Sequence, residues 1–206
     1  MPLIQYRTSI DRKRAFEAGL LHLVELGRVS PGLATNPYVQ PIHIFGLRDI
    51  LAKQIKAGAN PVSWRYFATN ASKEEVVAGD VDVSSPPKLT NLRYGVVAKS
   101  MLEVTDTLEE HLPELNDESY ELRILRIPGF LVEAFWLTPM TEELDSLVVL
   151  APYYKTLIES LDDRGKWTMT NFLETVRSDA AKTLAFKNSP PPAAKPHDPY
   201  PEREEH

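Results

Sequence analysis

The chain has no cysteine. That excludes a disulfide scaffold, a thiolate zinc or iron-sulfur centre and a cysteine nucleophile. Glycine is sparse, and none of the nine stand at the G-x-G-x-x-G or P-loop spacing that cradles phosphate groups. No serine lies in G-x-S-x-G, so the usual hydrolase elbow is missing. His22, His43, His111, His197 and His206 include no pair at i, i+4 metal-binding spacing; no metal site and no cofactor are expected. Basic residues are outnumbered, 23 to 29, and the net charge of -6 argues against general nucleic-acid binding, which rests on many cationic contacts to phosphate.

Long apolar runs are also lacking. The longest, such as Leu147 to Ala151, are far too short to cross a bilayer. Met1 to Arg7 holds no basic segment leading into an apolar stretch, so no secretory signal is read and the expected location is cytoplasmic, with no membrane partner. What remains is an ordinary globular composition, 43% hydrophobic and 25% charged, in 206 residues. A chain of that length buries about 70% of its unfolded surface and needs no covalent staple.

Periodicity divides the chain. Ser9 to Gly27 has apolar residues at helical spacing, with Ser9 to cap it and Gly27 to end it. Pro31-Gly32, Asn36-Pro37 and Pro41 mark a loop before a second helix, Phe45 to Ala57. Val62 to Thr69 and Val76 to Val83 alternate as paired antiparallel strands. Helical spacing returns from Asn91 until Pro113 stops it. Tyr120 to Ile127 and Phe130 to Leu137, separated by Pro128-Gly129, read as a hairpin; Ser146 to Ala151 is a further strand. Helices are expected at Tyr153 to Leu161 and Thr168 to Phe186. The predicted fold is α+β, an antiparallel sheet of about five strands packed with about five helices, in a single domain of residues 1–187. Residues 188–206 form a proline-rich tail, with six of the chain's 17 prolines between 190 and 201, and are expected to be disordered. Tyr200, between two prolines, is its candidate partner-binding anchor.

The candidates for chemistry are carboxylates on strands. Asp80 and Asp82 project from one strand face and can divide acid and base roles or hold a cation; the plainer reading is a solvated face with Val81 and Val83 turned inward. Glu133 interrupts the apolar run Phe130 to Leu137. A charge there is costly unless paired. A two-residue Pro128-Gly129 turn sets Ile124 opposite Glu133 with Arg126 diagonal to it, so an ion pair with Arg126 or another cation is expected, against the alternative of a raised-pKa acid in a cleft. Arg65 and Arg126 are the candidate ligand-binding cations, and Trp136 joins Tyr200 as a candidate partner-binding residue.

Charge is polarised: Arg12-Lys13-Arg14 opens the first helix, whereas Glu103 to Glu121 holds eight acidic residues and no Lys or Arg. With apolar residues on both faces of the predicted hairpin, this favours a non-enzymatic protein-binding or assembly module that meets a protein partner or its own copy. The alternative is an enzyme or small-molecule binder with a carboxylate-lined cleft between sheet and helices. Because the tail has almost no apolar side chains to bury, truncation after Asn188 is expected to leave the melting temperature nearly unchanged; a drop of many degrees in a thermal scan contradicts its assignment as dispensable.

Overall fold

A computed structural model describes residues 4, 6–7, 9–52, 60–111, 119–141, 145–151, 161 and 166–188. In chain order the elements are β1 (Tyr6–Arg7), α1 (Ile10–Glu25), β2 (Ala34–Thr35), β3 (Tyr38–Ile44), α2 (Leu47–Leu51), β4 (Ser63–Thr69), β5 (Val76–Asp82), β6 (Leu89–Tyr94), α3 (Val96–His111), β7 (Tyr120–Ile127), β8 (Val132–Pro139), β9 (Leu147–Leu150), β10 (Lys166–Thr168) and α4 (Met169–Asn188). The fold is α+β, but the sheet has ten strands and is mixed, and four helices are described. This corrects the expected five-strand antiparallel sheet with five helices.

The sheet runs β10-β9-β8-β7-β3-β4-β5-β6, with β1 added to β3 and β2 to β4. All strand pairings are antiparallel except β3 with β7, a parallel ladder from Ile42↔Ile124 to Ile44↔Arg126, beside which an isolated parallel bridge joins Ile4 to Glu121. Two antiparallel halves therefore meet at a three-pair parallel seam: the meander β3 to β6 and the meander β7 to β10. Parallel neighbours need a crossover. Here α3 makes it, packing Ala98, Met101 and Leu102 on Phe67, Val76 and Ala78 and bringing Leu108 onto the core of β7 and β8.

The missed strands have local causes. Pro37 and Pro41 give residues 31–41 the look of a loop, and β3 carries no clean polar-apolar alternation, since Val39 and His43 share one face and Gln40, Ile42 and Ile44 the other. The helix read from Asn91 takes in Asn91 to Tyr94, which belong to β6 (Leu89–Tyr94), and Gly95, at φ 70°, breaks the chain between strand and helix. β1, β2 and β10 are two or three residues long, below any periodic signal. The helix read at Tyr153 to Leu161 and the tail with Tyr200 lie outside the described residues, Leu161 itself apart.

Helix α1 fits its sequence signals. Ser9 Oγ accepts from the Arg12 amide, and the Gly27 and Arg28 amides donate to the carbonyls of Val24 and Leu23, a Schellman ending. Its Phe16, Leu20 and Leu23 pack on Tyr66, Ala68, Val77 and Val81. On the same sheet face α2 and α4 cover Leu125, Ile127, Val132, Ala134 and Trp136. The opposite face belongs to α3, so the basic start of α1 and the acidic α3 lie across the sheet from each other. Both faces of the β7–β8 hairpin are thus covered within one chain, and the hairpin requires no second copy to bury it.

Gly79 is fixed by a close approach. A Cβ there would stand 2.6 Å from ring carbons of Phe16, a fully buried residue. Gly79→Ala is expected to cost about 1–3 kcal/mol by overpacking, measured by urea unfolding; an unchanged midpoint contradicts this packing of α1 on β5.

Candidate functional site

Four of the residues singled out from sequence converge. Arg65 and Asp80 are directly opposite on β4 and β5, and Arg126 and Glu133 are directly opposite on β7 and β8. All four sit on the α3 face and close a ring of alternating charge. Arg65 Nε donates to Asp80 Oδ1 at 3.0 Å and its Nη1 to Glu133 Oε1 at 2.8 Å. Arg126 donates from Nη2 to Asp80 Oδ2 at 2.7 Å and from Nε to Glu133 Oε2 at 2.6 Å. Two of these bonds lie within a half-sheet, and two cross the parallel seam. Asn91 Nδ2 adds a bond to Asp80 Oδ2, and Arg93 Nη1 lies 3.9 Å from Glu133 Oε2.

The ring is deeply placed. Arg65 is fully buried, and Asp80 and Glu133 are each 2% exposed. Burial alone drives a carboxylate's pKa up, but two arginines per carboxylate drive it down more strongly. For Asp80, Arg65 and Arg126 outweigh burial and hold the carboxyl at about 2. The same opposition, with the same winners, holds Glu133 at about 2. Both acids are therefore ionised at neutral pH and too weakly basic to act as general bases there. A cation entering the ring would have to displace two guanidinium groups. Among the described residues no three His, Asp or Glu side chains are grouped to hold a metal.

The Glu133–Arg126 pair expected from the sequence is present, but the hairpin register differs. A 3-10 turn over Pro128–Phe130 and a left-handed Leu131 (φ 53°) lengthen the connection, so Ile127 faces Val132 and Arg126 faces Glu133 directly. The longer turn is what brings the two charges opposite each other.

The remaining candidates lie elsewhere. Asp82 shares the strand face of Asp80 but is spent on the following loop, where its Oδ1 accepts from the amides of Ser84 and Lys88 and from Ser84 Oγ. The Ser84 hydroxyl, then the Lys88 amide, lowers its carboxyl below the ordinary range. Trp136 is on the opposite sheet face and 1% exposed, which leaves it no surface for a macromolecular partner.

A second polar cluster, unnoticed in the sequence, occupies that opposite face. Glu121 and Arg123 alternate with Leu122 and Ile124 on β7; Glu121 Oε2 accepts from Arg123 Nε at 3.1 Å, with Arg123 Nη2 also in contact. The Arg123 guanidinium lies 5.1 Å from the Trp136 ring centre, and the His43 ring meets Trp136 edge-on at 5.3 Å. Burial and then the bond to Glu121 push the Tyr6 hydroxyl up to about 12. Burial, then the charge of Arg123, lowers His43 to about 4. The available signal was that β7 carries charges at both parities, Glu121 and Arg123 against Arg126, within a strand apolar at both parities. His43 was hidden by the proline-marked loop.

Comparison with protein-family models, with curated proteins and with solved structures finds no match for this chain. Fold and site define it as a mixed α+β protein whose ring of candidate residues is internally neutralised.

The pKa shifts give acid sensitivity in two windows. Each folded-state pKa lies below its ordinary value, so each group's contribution is complete above that value and lost as pH falls through the folded one. His43 acts from about 6.5 down to about 4, and Asp80 with Glu133 from roughly 4 down to about 2. In a pH series of urea unfolding, His43→Phe is expected to flatten the upper window only. Glu133→Gln is expected to flatten part of the lower window and to cost about 3 kcal/mol at pH 7, because it leaves buried arginine charge uncompensated. Unchanged stability of the Glu133 variant contradicts the ring.

Proposed function

We propose that the protein is a non-enzymatic protein-binding module that receives an extended segment of a partner protein along the open edge of β6. The observation that carries this reading is the edge itself. β6 ends the eight-strand path, and among the described residues nothing pairs with its outer side. Such an edge presents unpaired amides and carbonyls, and natural proteins usually blunt it. Here the blunting is confined to one end, where a bulge falls between Asp80 and Val81 and Pro86-Pro87 precede the strand. The other end is regular and runs into exposed apolar side chains, with Tyr94 44%, Val96 82% and Val97 44% accessible.

The ring supports the same reading by subtraction, since Asp80, Glu133, Arg65 and Arg126 neutralise one another and leave Asp82 to its loop. Strand addition draws affinity from main-chain bonds and specificity from alternate side chains, so it asks for an edge with apolar contacts rather than reactive groups. The described helices include none long and apolar enough to cross a membrane.

Panning a random-peptide library against the protein and against Tyr94→Lys/Val96→Lys, which charges the edge, tests this. Enriched peptides are expected to bind the native protein, to lose at least tenfold in affinity with the variant, and to protect amides of Asn91 to Tyr94 from exchange. Assembly of the protein with its own copy, lost in the same variant by light scattering, would replace the partner strand by a second chain. Peptides that bind equally to both proteins overturn the proposal.

A further inference from the structure

Independently of the β6 edge, we infer that the sheet face bearing Arg123 and Trp136 holds a binding site for a small organic carboxylate with an apolar or aromatic body. Three neighbouring side chains there carry polar atoms that are buried and have no hydrogen-bond partner among the described residues: His43 Nδ1, Trp136 Nε1 and Thr138 Oγ1. Their residues are 3%, 1% and 7% exposed. They are adjacent in the sheet. Thr138 is opposite Glu121, Trp136 opposite Arg123, and His43 is opposite Leu125 on the seam. Burying a polar group without a partner costs roughly 1–3 kcal/mol, and buried polar groups in folded proteins are almost always satisfied. Three such atoms on one patch therefore call for a common occupant.

The chemistry of that occupant follows from the atoms. An indole nitrogen only donates, a threonine hydroxyl donates readily, and a neutral imidazole donates from one nitrogen. Arginine donates and never accepts. A group rich in acceptors answers all of them, and its sign is set by the surrounding charge. A continuous chain of contacts runs from Arg12, 5.1 Å over the Trp64 ring, through Tyr6, edge-on to Trp64 at 5.3 Å, to Glu121, then Arg123 stacked on Trp136. The cation beside these donors is Arg123, held by Glu121, and burial keeps His43 neutral at pH 7. A carboxylate, which accepts from a guanidinium and from neutral donors alike, fits.

Rigidity and access favour binding over mere packing. Glu121 fixes Arg123 against Trp136, so the guanidinium is held before any ligand arrives, which lowers the entropic cost of association. The Arg123 and Glu121 side chains retain 13% and 20% exposure, giving solvent a way in. Trp136, Tyr6 and Phe45, which is edge-on to Trp136 at 6.2 Å, supply apolar walls. An aromatic carboxylate such as benzoate matches both the acceptors and the walls; inorganic phosphate matches the acceptors alone.

The chain has three tryptophans, so its indole N–H resonances are few enough to follow individually, with Trp136→Phe assigning one of them. Titration of the full-length protein with benzoate is expected to move the Trp136 resonance downfield in a saturable way. Thr138→Val removes one donor at constant shape and is expected to weaken benzoate about tenfold, the worth of one hydrogen bond, with an unchanged melting temperature. No movement of the Trp136 resonance at tens of millimolar benzoate, with the protein folded, would mean that ordered water alone satisfies these atoms and overturns the site. Equal saturation by phosphate overturns the carboxylate assignment, and benzoate affinity unaffected by Thr138→Val places the ligand elsewhere.

Discussion

Among the described residues β3 and β7 pair directly at three parallel positions, the N-terminal segment bridges the same two strands through Tyr6↔Val39 and Ile4↔Glu121, and the ring of Arg65, Asp80, Arg126 and Glu133 straps that seam. Arg65 and Asp80 belong to the meander β3 to β6, and Arg126 and Glu133 to β7 and β8. Beneath them Ile42 is fully buried on β3, between Ser63 of one half and Ile124 of the other. A one-residue slip at the seam would send Arg126 and Glu133 to the other face and leave Arg65 and Asp80 a buried pair with half its bonds. The ring thus specifies register. Its net contribution to stability is a smaller matter, because desolvating four charges offsets much of their attraction.

From this strap follows the division of the two sheet faces. On the α3 side the carboxylates are fully engaged: every carboxylate oxygen of Asp80 and Glu133 meets a guanidinium nitrogen. On the other side β7 carries Glu121 and Arg123 only a few residues from Arg126, with Tyr6 reaching in from a strand that pairs with β3. There the arginine rests on an aromatic ring and neighbouring donors go unanswered. One strand supplies a lock to one face and a receptive patch to the other.

The sequence made part of this legible. The strand character of β4, β5, β7 and β8 is legible because these strands are seven or eight residues long and rich in β-branched and aromatic residues, and Glu133 in an apolar run announces a buried ion pair. The extent of the ring was not legible, since Arg65 and Glu133 are 68 positions apart and meet only because α3 carries the chain back across the sheet to lay β7 beside β3. The parallel ladder leaves no local mark in either strand. Prolines misled twice: Pro41 sits inside β3, and Pro128-Gly129 opens a turn two residues longer than the dipeptide implied. Asp80 and Asp82, alike in sequence, separated because strand β5 ends at Asp82 and a loop with its own amides claims that carboxylate.

The central claim is that Asp80 and Glu133 are permanently charged members of a structural ring and take no part in proton transfer. Carbon-13 NMR titration of their side-chain carboxyl resonances reads this directly. The account expects both to hold their ionised shifts from pH 8 down to about 4, with protonation beginning only toward about 2. A midpoint above the ordinary carboxylate range of roughly 4 for either residue would contradict the ring and return that residue to consideration as an acid.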